Sequence, residues 1–126
     1  VGNNIVFNAR SETLYEKKIF LDGILNRRCV IPANYYFEWQ KDSKEKNVIK
    51  NNNSKIMYFI GIYRFENNNP VFTIITKDAS DNMKELHPRM PVIISKDKIN
   101  DWLSHQNNLS YFINNSINDL NYTKVN

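Results

Sequence analysis

Glu38 is the residue whose setting most strongly indicates chemistry, because it lies in the aromatic run Tyr35-Tyr36-Phe37-Glu38-Trp39. An ionised carboxylate is costly to desolvate, so an aromatic strand should exclude one unless it has a partner or a task. Buried carboxyl groups in general titrate closer to neutrality, where they can accept or donate a proton during a reaction. The alternative is that the alternation of side chains along a strand simply turns Glu38 to solvent.

His87 is a second candidate, since it lies in segment 86–91, where Pro88 and Pro91 restrict the backbone. Such a segment is typical of a rigid loop that presents side chains, and a histidine there can act as an acid or a base. In an extended segment Arg89 would point the same way, so the two could meet a sugar-phosphate. A histidine that merely caps the end of a preceding helix is the alternative.

Three polar residues at the ends of predicted strands could also bind a ligand. Asn8 and Arg10 flank the small Ala9, and they could supply an amide that orients a reacting group and a guanidinium that holds a phosphate. A turn stabilised by asparagine beside a surface arginine explains them equally. Thr76 could donate a hydrogen bond to a phosphate, although a β-branched strand residue needs no such role.

Cys29 raises the possibility of a cysteine protease, because cysteine, histidine and asparagine are all present. It lies between Arg28 and the apolar Val30, however, where a small buried and inert thiol is the commoner case. One cysteine and two histidines offer no ligand spacing for zinc, so we expect neither a metal nor another cofactor. A single cysteine also excludes an intramolecular disulfide and is typical of a reducing compartment.

The composition limits the function further. The 126 residues are enough for one domain, and the net charge of +4 tolerates a polyanionic partner without demonstrating one. The sequence contains neither an apolar stretch near the roughly 18 residues that span a bilayer nor a signal-peptide pattern. We therefore expect a cytoplasmic protein without a membrane partner.

These candidates must be positioned by a mixture of strands and helices. The patterns predict strands at 5–7, 28–40 (one or two), 55–64, 71–76 and 91–94, helices at 11–23, 79–86, 96–104 and 109–117, and a loop or loose hairpin tip at 41–53. With only three glycines and no glycine-rich phosphate loop, a Rossmann or P-loop fold is excluded. We predict an α+β fold with a curved, mostly antiparallel β-sheet, a barrel-like core and short flanking helices.

Three blocks in order carry a resemblance to a known family. Residues 8–13 (NARSET), residues 28–33 (RCVIPA) with 37–39 (FEW), and residues 86–92 (LHPRMPV) resemble the SOS-response-associated peptidase (SRAP) family. The resemblance covers nearly the whole chain. It implies a SRAP-like fold and a protein of the DNA damage response that recognises abasic sites in single-stranded DNA.

The resemblance also implies a crosslinking reaction. A cysteine directly after the initiator methionine condenses through its α-amine with the aldehyde of the ring-opened sugar, and its thiol then closes a thiazolidine. By motif, Asn8 would orient that cysteine and Glu38 would move protons as the Schiff base forms. His87 would protonate the sugar and help to reverse the crosslink. Such a condensation needs proton transfer near neutral pH.

The DNA contacts implied by the resemblance lie in the same blocks. Arg10 and Arg89 would hold phosphates beside the lesion, Thr76 would be a weaker contact, and Trp39 would shape the pocket. The partner would be single-stranded DNA with abasic sites. We expect a monomer that associates with the bacterial nucleoid when DNA is damaged.

This chain departs from the family pattern at three places. The Met-Cys-Gly start and several tens of residues before Asn8 are absent, and the C-terminal segment ends inside what resembles the last strand. The usual Ala-Asp-Gly-Phe pattern is Ala33-Asn34-Tyr35-Tyr36 here. We therefore expect residues 1–126 to be one partial SRAP domain without its nucleophile. A non-covalent single-stranded DNA-binding module and a cysteine-type peptidase remain as alternatives.

Overall fold

The computed structural model describes residues 5–126 and contains, within that range, nine strands, three α-helices and two short 3-10 helices. The strands are β1 (Ile5–Arg10), β2 (Arg28–Ala33), β3 (Tyr36–Trp39), β4 (Lys46–Asn51), β5 (Met57–Glu66), β6 (Asn69–Asp78), β7 (Arg89–Pro91), β8 (Ile93–Ile94) and β9 (Leu120–Lys124). The helices are α1 (Lys18–Asn26), α2 (Ile99–Leu103) and α3 (Leu109–Asn114), and the 3-10 helices span Leu14–Glu16 and Lys96–Lys98. None of the helices described is long and apolar enough to cross a bilayer.

The strands form two sheets. The first has the order β1-β6-β5-β2, with β7 paired to β6 and β8 paired to β5, and the second has the order β3-β4-β9. Strand β1 runs parallel to β6, and all other pairs are antiparallel. The prediction of an α+β fold with a curved, mostly antiparallel sheet and short flanking helices is therefore confirmed.

Two apolar clusters build the core. One joins the helices to the first sheet through Leu14, Ile24, Ile60, Ile62, Ile75, Val92, Trp102, Leu109 and Phe112, with others at its edge. The other joins the two sheets through Ile49, Met57, Phe59, Met83, Leu86, Met90, Ile93 and Leu120. Burial of these side chains is the main force that fixes the two sheets relative to one another.

Trp102 connects α2 to the strand that precedes the aromatic run. Its side chain is fully buried, and its indole Nε1 donates to the Cys29 carbonyl oxygen at 2.8 Å. The Arg28 guanidinium lies 4.3 Å from the centroid of the indole ring, and Phe112 packs against the ring edge-to-face at 5.1 Å. These contacts hold β2, and hence the start of β3, in a fixed place.

Helix α1 corrects the prediction that Asp22-Gly23 ends the first helix. The α-helix begins only at Lys18 and continues through Gly23 to Asn26. A Cβ at Gly23 would lie 2.8 Å from Ile62 Cδ1, so glycine here allows α1 to pack closely on β5 and does not end the helix.

Strand β4 corrects the prediction of a loop over 41–53. Only residues 41–45 and 52–53 of this range are irregular, and β4 pairs with both β3 and β9. Asn47 and Ile49 are buried, while Lys46, Val48 and Lys50 occupy the alternate positions on the outer face. This period-two pattern was hidden by the charged and Asn-rich composition. Strand β9 lies in the C-terminal segment, which the resemblance assigned to the last strand of the family.

Three smaller predictions near the C-terminal half were also wrong. Residues 81–86 form consecutive turns instead of a helix, and the predicted strand over 91–94 is interrupted at Val92, where the chain passes from β6 to β5. Helix α3 ends at Asn114, whereas the predicted helix continued to residue 117.

Candidate functional site

A pocket of about 220 Å³ opens between the two sheets. Its walls come from β1, β3, β5, β6 and segment 87–91, and are formed by Asn8, Tyr36, Phe37, Glu38, Phe59, Ile74, Thr76, His87, Arg89, Met90 and Pro91. It therefore combines an apolar floor with several convergent polar groups, as ligand sites usually do.

Five of the seven predicted site residues line this pocket: Asn8, Glu38, Thr76, His87 and Arg89. Arg10 and Trp39 are not among its lining residues. Arg10 is exposed at the end of β1, and Trp39 is half exposed on the outer face of β3. Three sequence blocks that are far apart in the chain thus meet at one place.

Glu38 points into the pocket. Along β3 the half-buried Tyr36 and Glu38 alternate with the exposed Phe37 and Trp39, so the solvent-facing alternative for Glu38 is wrong. The backbone N–H of Trp39 donates to Glu38 Oε1 at 3.2 Å. Burial, with a smaller contribution from the charge of Glu38, raises the pKa of the Tyr36 phenol, which therefore stays protonated beside the carboxylate.

His87 faces Glu38 across the pocket, with Nε2 3.9 Å from Glu38 Oε1. Its Nδ1 accepts a hydrogen bond from the Arg89 amide at 3.2 Å and lies 3.3 Å from the Arg89 carbonyl oxygen. In the neutral ring Nδ1 can accept a hydrogen bond from the Arg89 amide, and in the charged ring it can donate one to the Arg89 carbonyl oxygen. Nδ1 therefore has a hydrogen-bond partner in either protonation state. The helix-capping alternative is wrong, because residues 81–86 are turns.

Glu38 and His87 are not hydrogen-bonded to each other. At 3.9 Å the two groups are too far apart for a direct hydrogen bond, yet close enough to hydrogen-bond to the same ligand atom. Both side chains are about one-third exposed, so a ligand can reach them. The arrangement can deliver a proton to a reacting group and remove one from it.

Arg89 is held by an ion-pair cluster. Its Nη1 donates to Glu12 Oε2 at 2.6 Å and to Asp78 Oδ1 at 2.8 Å, and its Nη2 donates to Glu12 Oε1 at 2.7 Å and to Thr76 Oγ1 at 3.1 Å. Its buried Nε has no hydrogen-bond partner among the described residues. The paired Arg89 lowers the pKa of Glu12 to about 2, and the pair raises the pKa of Arg89.

The cluster ties segment 87–91 to β1. Thr76 Oγ1 donates to the Ala9 carbonyl oxygen at 3.3 Å, while it accepts from Arg89. Sequence patterns did not identify Glu12 and Asp78 as partners of Arg89, and they placed Glu12 at the start of a helix. Glu12 is 77 positions from Arg89, and nothing local in the sequence signals that pairing.

Cys29 is remote from this chemistry. It lies on β2 opposite Gly61 and is not among the residues that line the pocket. Burial raises the pKa of the Cys29 thiol to about 11, so the reactive thiolate is scarce at neutral pH. The part of the chain that the structure describes also holds no cluster of three or more side chains suited to a metal ion.

Comparisons with known proteins identify the family of this chain. The sequence model of the SOS response associated peptidase (SRAP) family matches residues 2–126. The abasic site processing proteins YoaM and YoqW of Bacillus subtilis are each 38% identical over 110 residues, covering 81% of this chain and 48% and 49% of theirs. The chain thus spans about half the length of these relatives.

A crystal structure of a Bacteroides thetaiotaomicron protein has the same fold. It superposes with a TM-score of 0.80 at 24% identity, over 94% of this chain and 58% of the other. The family match over nearly all residues, together with the identity to two curated relatives, leads to one conclusion. The chain belongs to the SRAP family.

Proposed function

We propose that the protein containing this chain processes abasic sites in single-stranded DNA, and that residues 1–126 are part of one SRAP domain. The observation that carries the proposal is the convergence of Asn8, Glu38 and His87 on one pocket, with His87 Nε2 3.9 Å from Glu38 Oε1. The names of the Bacillus relatives support the same substrate. We further propose a cytoplasmic, monomeric protein that associates with the nucleoid after damage.

The proposed reaction is a reversible crosslink. The α-amine of a cysteine outside residues 1–126 attacks the aldehyde of the ring-opened sugar, and the resulting carbinolamine loses water to give an imine. The cysteine thiol then adds to the imine carbon and closes a thiazolidine. No electrons are gained or lost overall, so only proton transfers need assistance.

Glu38 and His87 would share those proton transfers. In the tautomer whose Nδ1 accepts from the Arg89 amide, the neutral His87 ring carries its proton on Nε2, which faces Glu38. That proton can assist sugar opening and the departure of water, while the Glu38 carboxylate accepts the proton lost by the amine. Asn8, on the adjacent wall, is exposed and can orient the amine or thiol through its amide.

The proposed phosphate contacts are unequal. Arg10 is exposed and free to approach a backbone phosphate, with Thr76 opposite it in the register of β1 and β6. Arg89 is already bound to Glu12 and Asp78, and a phosphate would have to share it. We therefore propose Arg10 as the stronger contact, and Arg89 as a residue that also holds segment 87–91 against β1.

The proposal is tested with the full-length protein and a single-stranded oligonucleotide carrying one abasic site. We expect an adduct that survives denaturation and disappears when the cysteine after the initiator methionine is replaced. Failure of the wild-type protein to form an adduct, or an adduct unaffected by loss of that cysteine, would refute the crosslinking mechanism.

A non-covalent DNA-binding module is the second candidate, favoured by the exposed aromatic residues Phe37 and Trp39 beside the pocket. Its affinity would fall steeply with salt and would barely change in Glu38→Ala, since phosphate contacts dominate such binding. A matched pair of substrates, with and without the abasic site, distinguishes the two. The non-covalent module binds both alike and leaves no adduct.

A further inference from the structure

The outer face of the second sheet carries a column of exposed aromatic rings. Tyr35, just before β3, and Phe37 and Trp39 on β3 are at alternate positions and are 47%, 40% and 50% exposed. The rings of Tyr35 and Phe37 contact each other edge-to-face at 5.4 Å. Large aromatic side chains this exposed and this close together usually mark an interaction surface.

A column of lysines on β4 runs beside these rings. Lys46 and Lys50 occupy outward positions, and Lys46 Nζ lies 4.0 Å from the Phe37 ring centroid and 5.5 Å from that of Trp39. Lys50 also lines a hollow of about 320 Å³ together with Tyr35 and Lys55. Positive charge therefore flanks the aromatic column at Lys46 and Lys50, with Val48 between them opposite Phe37.

Carboxylates are absent from the outward positions of the described strands of this sheet. Those positions on β9 are held by Asn121 and Thr123, which are neutral. Glu45, just before β4, is paired with Lys124 at 2.5 Å. The surface thus combines exposed apolar rings with unopposed cations, a combination that fits a polyanion with flat apolar faces.

This surface is continuous with the pocket. Phe37 contributes both to the pocket wall and to the aromatic column, and the neighbouring Glu38 points into the pocket. A ligand held between Glu38 and His87 can therefore extend directly over the outer face. Tyr35 stands where the family pattern has glycine, and it adds one ring to the far end of the column.

We propose that the outer face of β3 and β4 is a track for an unpaired nucleic-acid strand that leads to or from the pocket. Bases stack on Tyr35, Phe37 and Trp39, and phosphates contact Lys46 and Lys50. The proposal rests on the proposed function for the lesion itself. The track adds a path for the intact nucleotides beside that lesion. The residues of this path are not the polar groups of the pocket.

The test measures non-covalent binding of the full-length protein to an undamaged single-stranded oligonucleotide by fluorescence anisotropy at several salt concentrations. We expect Tyr35→Ala to weaken binding about tenfold, since stacking on one aromatic ring has that order of effect. In the double variant K46Q/K50Q, the slope of log affinity against log salt should become shallower by about 1.4, because about 0.7 is lost per phosphate contact with single strands.

Two control variants keep the result specific. Phe65 is exposed on β5 and Lys18 begins α1, so F65A and K18Q remove an aromatic ring and a lysine away from the outer face. Both should bind as the wild-type protein does. Melting temperatures of all variants are compared by circular dichroism, so that loss of folding is not mistaken for loss of binding.

Wild-type affinity and salt slope in both Y35A and K46Q/K50Q would overturn the track. Self-association that Y35A abolishes, with unchanged DNA binding, would identify the face as a contact between copies of the protein and also overturn it. Adduct formation at a single abasic site reports separately on the proposed function. An adduct formed at the normal rate by variants that bind intact strands weakly supports both proposals.

Discussion

His87 and Arg89 are two residues apart, yet each meets a carboxylate in a different way. Arg89 forms a closed pair with Glu12, joined by two N–H···O contacts of 2.6 and 2.7 Å. His87 and Glu38 form an open pair, separated by 3.9 Å. The groups of the closed pair are hydrogen-bonded to each other, whereas both groups of the open pair can still hydrogen-bond to one ligand atom.

The closed pair and the open pair are suited to different roles within one pocket. Two parallel hydrogen bonds to a guanidinium give fixed geometry, and here they join β7 to the segment that follows β1. Groups that must exchange protons with a substrate cannot be committed to each other in this way. We therefore propose that the closed pair holds the segment in position and that the open pair transfers protons.

The largest expected effect comes from the open pair. In the full-length protein, Glu38→Gln or His87→Ala should slow adduct formation by about 10²–10⁴-fold, the usual contribution of general acid–base groups. Thermal unfolding should change little, because both side chains are partly exposed and make few contacts. Glu16→Gln and His105→Asn replace exposed residues of the same types and should leave the rate unchanged.

A smaller effect is expected from the closed pair. Glu12→Gln should lower the free energy of unfolding by about 1–2 kcal/mol, a value reduced for the partial exposure of Glu12. Chemical denaturation measures this loss, with Glu16→Gln as the control. A variant as stable as the wild-type protein would show that the pair does not hold segment 87–91.

The closed pair should also make stability depend on pH. The folded-state pKa of Glu12 is lowered from 4.5 to about 2, chiefly by its hydrogen bond from Arg89. Between pH 4.5 and 2 the unfolded state therefore binds more protons than the folded state, and the contribution is lost as the pH falls through this window. Denaturation midpoints should fall more steeply there for the wild-type protein than for Glu12→Gln. Parallel curves would contradict the assignment.

The smallest effect is expected at Cys29, which belongs to neither pair. Because burial raises the pKa of this thiol to about 11, Cys29→Ala should leave the adduct rate within about twofold of wild type. Any proteolysis retained by Cys29→Ala would exclude this residue as a peptidase nucleophile. Loss of the adduct in a variant that still folds would instead place Cys29 in the reaction.

The residues that line the pocket were easier to predict than the contacts that hold them. Glu38 was chosen as a candidate because a carboxylate conflicts with its aromatic neighbours, and His87 because prolines fix its segment. The pairing of Arg89 with Glu12 depends on strands brought together only by folding, and a single sequence carries no signal for it. For the same reason Arg89 was predicted to contact a phosphate, while its pairing with Glu12 and Asp78 was not predicted.

The fold class could be predicted from the mixture of helix and strand patterns, but some individual elements could not. Strand β4 was taken for a loop because lysines and asparagines make up most of its residues, although Ile49 is fully buried. Gly23 was taken for a helix end because its packing partner, Ile62, is distant in sequence. In both cases tertiary packing overrode local propensity.

A double-mutant cycle on the rate of adduct formation tests the central claim most directly. The full-length wild-type protein, Glu38→Gln, His87→Ala and the double variant react with the same abasic oligonucleotide. If the open pair acts as one proton-transfer unit, the double variant should be scarcely slower than the slower single variant. Rate losses that multiply, or a wild-type protein that forms no adduct, would contradict the account.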